Sequence, residues 1–110
     1  MLGRMGEKMA ARYLRKNGYR VLMHGWKAFG CEVDLVAEDP HGELVFVEVK
    51  TRRSLQAGNP EDSVTPTKRQ HLEQAAQGWF DAHHSRQPWR VDVIAIELGV
   101  RTHILHFEGI

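Results

Sequence analysis

Two stretches of the chain carry hydrophobic residues at the three- and four-residue spacing of an amphipathic helix. The first covers about residues 3–16, and the Asn17–Gly18 pair that follows is typical of a helix end. The second begins at Thr65 and Pro66, a cap residue followed by a first-turn proline, and continues to about residue 83. The side chains expected to face the core are Leu2, Met5, Met9, Ala10, Tyr13 and Leu14 in the first helix, and Leu72, Ala75, Ala76 and Trp79 in the second.

Five shorter apolar stretches predict β-strands. They cover residues 19–23, 33–37, 43–51, 91–96 and 102–107. Pro40 and Gly42 predict a hairpin with a three-residue loop between the second and third strands, whereas the polar stretch 52–63 predicts a longer loop. The order is therefore helix, three strands, helix, two strands. A helical crossover after three consecutive strands indicates an α/β fold with a mixed sheet flanked by helices.

The third predicted strand places charged residues in an apolar setting. Glu48 and Lys50 alternate with Val47 and Val49, so both charged side chains point to one face of the sheet. Partial burial of such charged side chains is unfavourable unless they pair or bind a ligand. The predicted hairpin register places Asp34 opposite Glu48, and directly opposed Cβ atoms lie about 4.5–5.5 Å apart.

Two neighbouring carboxylates with a lysine have two interpretations. Magnesium binds oxygen ligands and is often held by one or two carboxylates together with phosphate oxygens. A lysine beside it can orient an attacking water or neutralise charge, so Asp34, Glu48 and Lys50 suit metal-assisted phosphodiester hydrolysis. The alternative is an ordinary ion pair within the sheet, in which Lys50 contacts Asp34 or Glu48. In the same register Glu32 lies opposite Lys50 and could form a salt bridge with that lysine.

Composition narrows the classes of protein that need to be considered. A length of 110 residues suits a single domain over residues 1–110, and a net charge of +1 excludes a wholly basic nucleic-acid coat. The single cysteine, Cys31, excludes a disulfide framework and a four-cysteine zinc site. No apolar run reaches the roughly 20 residues of a membrane span, so we expect a cytoplasmic protein without membrane association.

Five sequence stretches together resemble a known family. They are the residues Gly3-Arg4-Met5-Gly6-Glu7, Glu32-Val33-Asp34-Leu35-Val36, Val45-Phe46-Val47-Glu48-Val49-Lys50-Thr51-Arg52, Val64-Thr65-Pro66-Thr67-Lys68-Arg69 and Arg90-Val91-Asp92-Val93. Over nearly the whole chain they resemble the YraN-like family, small bacterial proteins considered to be related to endonucleases. The Asp34, Glu48 and Lys50 spacing is also similar to the signature of the PD-(D/E)XK nucleases. That superfamily has a restriction-endonuclease-like fold and includes the archaeal Holliday-junction resolvases.

The resemblance implies a role for each matching residue. Asp34 and Glu48 would be metal ligands, with Mg²⁺ or Mn²⁺ as the ion, and Lys50 would be the catalytic lysine. Glu7 would be an auxiliary acid of the catalytic site, because the resolvases have an acidic residue on their first helix. Glu32 would be an auxiliary metal ligand.

Cationic residues near the predicted site are candidate nucleic-acid contacts. Lys68 lies on the inward stripe of the second helix near its first turn, where a phosphate can be bound. The alternative is a lysine that extends along the sheet edge towards solvent. The remaining candidate backbone contacts are Arg52, Arg53 and Arg69. Asp92 and Arg90 share a face of the fourth predicted strand, which indicates an internal ion pair.

Three functions follow as hypotheses. The leading one is a metal-dependent endonuclease that hydrolyses DNA, at branched or damaged structures, and a homodimer would place two sites across two strands. The alternative is a non-catalytic nucleic-acid-binding module of the same fold. The third is a small protein-interaction domain in which the charged residues form a structural network.

Overall fold

The computed structural model describes residues 2–53 and 59–110. Its elements follow the predicted order, and most of them differ from the predicted bounds by only one or two residues at each end. They are α1 (Leu2–Lys16), β1 (Arg20–Ala28), β2 (Cys31–Glu38), β3 (Leu44–Arg52), a 3₁₀ helix (Pro60–Ser63), α2 (Pro66–His83), β4 (Trp89–Glu97) and β5 (His103–Phe107). The predicted loop over 52–63 lies partly outside the described residues, and the structure gives its last turn as the 3₁₀ helix.

The five strands form one mixed sheet in the spatial order β1-β2-β3-β4-β5. The β3–β4 pair, joined through α2, is parallel, and the other three pairs are antiparallel. The predicted α/β fold with a mixed sheet is therefore confirmed. The first strand was predicted too short, because β1 continues to Ala28 and pairs with β2 along a tight hairpin.

The helices cover opposite faces of the sheet. One buried cluster joins α1 to residues of β2, β3 and β4, and the second joins α2 to β2, β3 and β4 on the other face. All four predicted core residues of α2 are buried, but the buried stripe of α1 is centred on Ala10, Ala11 and Leu14, whereas Met5 is half exposed. Small side chains allow α1 to lie close to the sheet. No helix of the described residues has the length and apolar character needed to span a membrane.

Turn chemistry sets the β2–β3 hairpin and the start of α2 as predicted. The N–H of Gly42 donates to the carbonyl of Asp39 at 3.0 Å, and Gly42 has a φ of 89°. This left-handed residue closes the three-residue loop and fixes the predicted register. Thr65 caps α2, because its hydroxyl accepts the N–H of Lys68 at 3.2 Å.

An ionic cluster lies on the α1 side of β4. Arg90 donates to Asp92 and Asp39 at 2.9 and 2.7 Å, which confirms the predicted Arg90–Asp92 pair. The fully buried Asp92 also lies 2.7 Å from His106 Nε2 of β5, and Nδ1 of that ring is 3.1 Å from the Tyr13 hydroxyl of α1. Burial alone would raise the pKa of Asp92, but these hydrogen bonds hold it below its ordinary value. The cluster ties α1, β4 and β5 together.

The β1–β2 hairpin rests on α2 at a glycine. A Cβ built at Gly78 would lie 2.5 Å from the Cβ of Ala28 and 3.3 Å from the ring of Phe29. Neither backbone can approach so closely if residue 78 carries a side chain. Gly78 therefore lets the hairpin lie directly on the helix.

We expect Gly78→Ala to destabilise the protein by about 1–3 kcal/mol, because the new methyl group overlaps Ala28. The sign is opposite to that of an ordinary helical Gly→Ala change, which stabilises by up to about 1 kcal/mol. Gly3→Ala in α1 is the matched control, because a Cβ there meets nothing within 4 Å. Urea unfolding measures both changes. A stabilising Gly78→Ala change would show that the hairpin does not need this close approach.

We expect Asp92→Asn to lower the free energy of unfolding at pH 7 by about 3–5 kcal/mol, because it breaks a buried charged network. The folded-state pKa of Asp92 is lowered, so its contribution is present above the unfolded-state pKa and is lost as pH falls through the folded value. The difference in the free energy of unfolding between wild type and Asp92→Asn should therefore narrow below about pH 4. The exposed Asp81→Asn change is the control. An equal loss of unfolding free energy in Asp92→Asn at pH 7 and at pH 3 would contradict the linkage.

Candidate active site

Asp34 lies at the point where β2 and β3 separate. The two strands pair in the predicted register from Glu38–Leu44 as far as Leu35–Val47, where their ladder of paired residues ends. One residue beyond, Asp34 Oδ2 accepts the backbone N–H of Val49 at 2.8 Å. A side-chain carboxylate therefore takes the place of a backbone acceptor.

A break in the alternation of β2 directs Asp34 towards β3. Val33 and Val36 pack into the same cluster, although residues three apart in a regular strand lie on opposite faces. Gly25, with a φ of 71°, lies opposite Asp34 between two regular β1–β2 pairs. Both strands therefore change face at this level. The predicted direct pairing of Asp34 with Glu48 across a regular ladder is wrong in this detail, although the two carboxyl groups do meet.

The environment of Asp34 disfavours its charge. Burial raises the pKa of Asp34 to about 7, and contact with the carboxyl of Glu48 together with the charges of Glu48 and Glu7 acts in the same direction. The N–H of Val49 opposes the shift without cancelling it. A protonated Asp34 can donate a hydrogen bond to Glu48, and an ionised one requires a nearby cation.

Glu48 faces α2 and pairs with a lysine there. Lys68 Nζ lies 3.2 Å from Glu48 Oε2, so the helix supplies the positive charge nearest to this carboxylate. The Lys50 side chain is exposed and makes no ion pair or hydrogen bond with any residue that the structure describes. The alternative of an ion pair from Lys50 to Asp34 or Glu48 is therefore wrong.

Glu7 reaches the site because α1 passes close to β3. A Cβ built at Gly6 would lie 1.9 Å from Thr51 Oγ1, so the glycine allows a contact that a larger residue would prevent. Its neighbour Glu7 is then near enough for its charge to act on Asp34. The structure thus brings Asp34 and Glu48 into contact and places Glu7 within electrostatic range of Asp34.

The other predicted site residues lie apart from this group. Glu32 is exposed and pairs with Lys27 of β1 at 3.4 Å, so the alternative pairing with Lys50 is also wrong. The Arg52 side chain is 7% exposed and lies 2.8 Å from Glu97, so we do not retain it as a phosphate contact. Arg69 pairs with Glu73 and donates to the carbonyl of Ile110. Arg53 is exposed.

The donor set at Asp34 fits a hard divalent cation. Two carboxyl groups touch in a half-buried position, and their mutual repulsion would be relieved by a positive ion between them. Within residues 2–53 and 59–110, no group of three His, Cys, Asp or Glu side chains is spaced to hold a metal. Asp34 and Glu48 would therefore need water or substrate oxygens to complete the coordination.

Two features near the site were missed at the sequence level. Gly25 breaks β1, and an isolated glycine inside a strand pattern is a known signal of irregular pairing. Phe29 and Gly30 form the tight β1–β2 turn, with φ values of 54° and 73°. A phenylalanine is unusual at such a position, so the residue types of this turn gave little signal.

We expect Asp34→Asn to stabilise the cation-free protein at pH 8 by about 2 kcal/mol. An asparagine can accept the N–H of Val49 and donate to Glu48 without adding a charge. The folded-state pKa of Asp34 is raised, so the wild type loses stability as pH rises from about 4 to about 7. The difference in unfolding free energy between Asp34→Asn and wild type should therefore vanish near pH 4. Urea unfolding in EDTA measures this difference, and adding Mg²⁺ should stabilise the wild type only.

The matched control for this change is Glu32→Gln, which neutralises an exposed carboxylate two residues earlier in β2. It should not stabilise the protein at pH 8. A destabilising Asp34→Asn change in EDTA would contradict the repulsion between the two carboxyl groups.

Comparison with known proteins identifies the family. The model of the uncharacterised protein family UPF0102 matches residues 6–96. A UPF0102 protein of Roseiflexus castenholzii is 44% identical, covering 99% of this chain and 89% of the relative. Others are a UPF0102 protein of Trichlorobacter lovleyi, 44% identical over 88% of this chain and 77% of the relative, and one of Herpetosiphon aurantiacus, 40% identical over 99% and 92%. The expected YraN-like relationship is confirmed, and the chain belongs to the uncharacterised protein family UPF0102.

Proposed function

We propose that this protein is a metal-dependent endonuclease that hydrolyses phosphodiester bonds in DNA. The observation that carries the proposal is the half-buried contact between the Asp34 and Glu48 carboxyl groups, where burial first, and then the charge and contact of Glu48, raise the pKa of Asp34 to about 7. Strongly perturbed acids with a specific charged partner cluster at functional sites. Asp92 is the contrasting case in the same sheet, because its cationic and N–H partners satisfy it and lower its pKa.

The acidic pair has a direct use in phosphodiester hydrolysis. Asp34 and Glu48 would hold Mg²⁺ or Mn²⁺, and the ion would supply positive charge at the phosphate. The N–H of Val49 fixes the Asp34 carboxyl in its position between the strands. Ion binding would favour the ionised form of Asp34 at neutral pH.

The two lysines would have different tasks. Lys50 leaves β3 on the same face as Glu48, and its exposed ammonium is available to orient a water or to neutralise charge at the phosphate. Lys68 neutralises Glu48 in the cation-free protein. A cation at Glu48 would release Lys68, which could then contact a phosphate of the DNA backbone.

Arg53 is retained as a candidate phosphate contact, since it is exposed at the end of β3. DNA as the partner, a homodimer and a cytoplasmic location stay predictions.

We expect Lys50→Ala to lower the rate of DNA cleavage at least 100-fold, because it removes a charge used in the transition state. Glu48→Gln should have a similar effect, because it weakens cation binding. The measurement uses labelled linear, single-stranded, flapped and four-way DNAs with Mg²⁺ or Mn²⁺. Lys16→Ala, at the far end of α1, removes an exposed lysine and should cleave as the wild type does.

Circular dichroism and thermal melting should show that Lys50→Ala folds normally. Wild-type cleavage rates in this variant would remove the proposed mechanism. Salt-sensitive DNA binding without cleavage by any form of the protein would overturn the nuclease proposal and support the non-catalytic nucleic-acid-binding module instead.

A further inference from the structure

Phe29 occupies the tip of the β1–β2 hairpin in an unfavourable backbone conformation. Its φ of 54° is in the left-handed region, which bulky residues rarely adopt. Phe29 is also 70% exposed, so burial of its ring does not explain the strained backbone. Strain of this kind persists where the surrounding structure enforces it, and it is concentrated at functional positions.

The hairpin holds the ring in a fixed place. Ala28 and Phe29 rest against α2 at Gly78, where no side chain separates the hairpin from the helix. The Trp26 indole N–H of β1 donates to the carbonyl of Ala75 at 2.9 Å, a second attachment to the same helix. An aromatic ring that is both exposed and rigidly supported loses little conformational freedom when it binds a ligand.

The surroundings of Phe29 are polar rather than apolar. Lys27, with its side chain 75% exposed, pairs with Glu32 across the hairpin. Cys31, beyond the turn, has its Sγ near the Gln74 side chain of α2. One exposed ring beside polar side chains and the Lys27–Glu32 ion pair suits stacking on a nucleic-acid base better than a hydrophobic protein interface.

Two elements connect Phe29 to the candidate active site. Three residues of β2 lie between the β1–β2 turn and Asp34, and Cys31 to Asp34 spans about 10 Å of strand. Ten residues of α2 separate Lys68, at Glu48, from Gly78, at the hairpin, about 15 Å of helix. These lengths correspond to about three to four base steps of about 3.4 Å along one DNA strand.

We propose that Phe29 stacks on an unpaired base where duplex DNA meets a single strand, and so selects DNA with an interrupted duplex as the substrate. This inference rests on the proposed function, since it extends the same binding surface from Asp34 to the hairpin. The ring marks the discontinuity, and the acidic pair lies about three to four nucleotides away.

The binding test compares a duplex that ends in a single-stranded extension with an uninterrupted duplex, with Ca²⁺ in place of Mg²⁺. Phe29→Asn should weaken binding of the extended DNA about 5- to 100-fold, because base stacking on an aromatic ring is lost. Binding of the uninterrupted duplex should change less than about twofold. Phe29→Trp keeps a ring and should bind the extended DNA nearly as the wild type does. The fluorescence of 2-aminopurine at the discontinuity should respond to wild type and not to Phe29→Asn.

A stability measurement separates function from folding. Asparagine tolerates a positive φ, so Phe29→Asn should raise the melting temperature by about 3–6 °C while binding is weakened. Val100→Asn is the control, because Val100 is a fully exposed apolar residue in another turn. It should leave DNA binding unchanged.

Three results would overturn the inference. The first is that Phe29→Asn binds the extended DNA as tightly as the wild type does, and the second is that it loses equal affinity for both DNAs. The third is that Phe29→Asn loses only self-association, which would indicate a protein contact. The binding test with Ca²⁺ does not require DNA cleavage, so its result is independent of catalysis. If Phe29 supports binding but no DNA is cleaved, the proposed function fails and the inference stands. If wild type and Phe29→Asn cleave alike, the inference fails and the nuclease proposal stands.

Discussion

The hydrogen bond from the Val49 N–H to Asp34 is the interaction on which the candidate site depends. A sheet normally uses every backbone N–H between two paired strands, but β2 and β3 stop pairing at this level. The Asp34 carboxylate fills the opening and is thereby fixed beside Glu48. If the strands continued in regular pairing, Asp34 would alternate with its neighbours and would not be directed between them.

The comparison of Asp34 with Asp92 shows how one sheet can give the same residue type opposite properties. Both carboxyl groups are removed from water, yet Asp92 is surrounded by Arg90, His106 and the N–H of Gly109. Asp34 instead has two other carboxylates as neighbours. The pKa of Asp92 is therefore lowered and that of Asp34 is raised. The Asp92 cluster stabilises the fold, whereas the Asp34 cluster is an unfavourable arrangement that a bound cation would relieve.

The two helices contribute to the site in different ways. On one face, α1 lies so close to β3 at Gly6 that Glu7 can act on Asp34. On the other, α2 neutralises Glu48 with Lys68 at its first turn and supports the β1–β2 hairpin at Gly78. Because one rigid helix contacts both places, the separation between Phe29 and the acidic pair is a fixed property of the fold. Such a fixed spacing suits recognition of a ligand with a regular repeat.

Local patterns in the sequence determined the secondary structure, the mixed sheet and the β2–β3 register. Their causes lie within a few residues of one another: helical periodicity, the Thr65 cap and the glycine that closes the 40–42 loop. These signals also placed Asp34 and Glu48 on neighbouring strands, and they identified Lys50 and Lys68.

Only the tertiary structure decided how these residues are used. The face change at Gly25 and Asp34, the pairing of Lys68 with Glu48 and the burial of Arg52 against Glu97 each depend on elements far apart in the chain. The Tyr13–His106 contact joins residues 93 positions apart. Alternation and helical periodicity describe which face a residue occupies, but they carry no information about which element packs on that face. The physical reason is that partner choice depends on the close packing of the whole core, where glycines such as Gly6 and Gly78 set the distances.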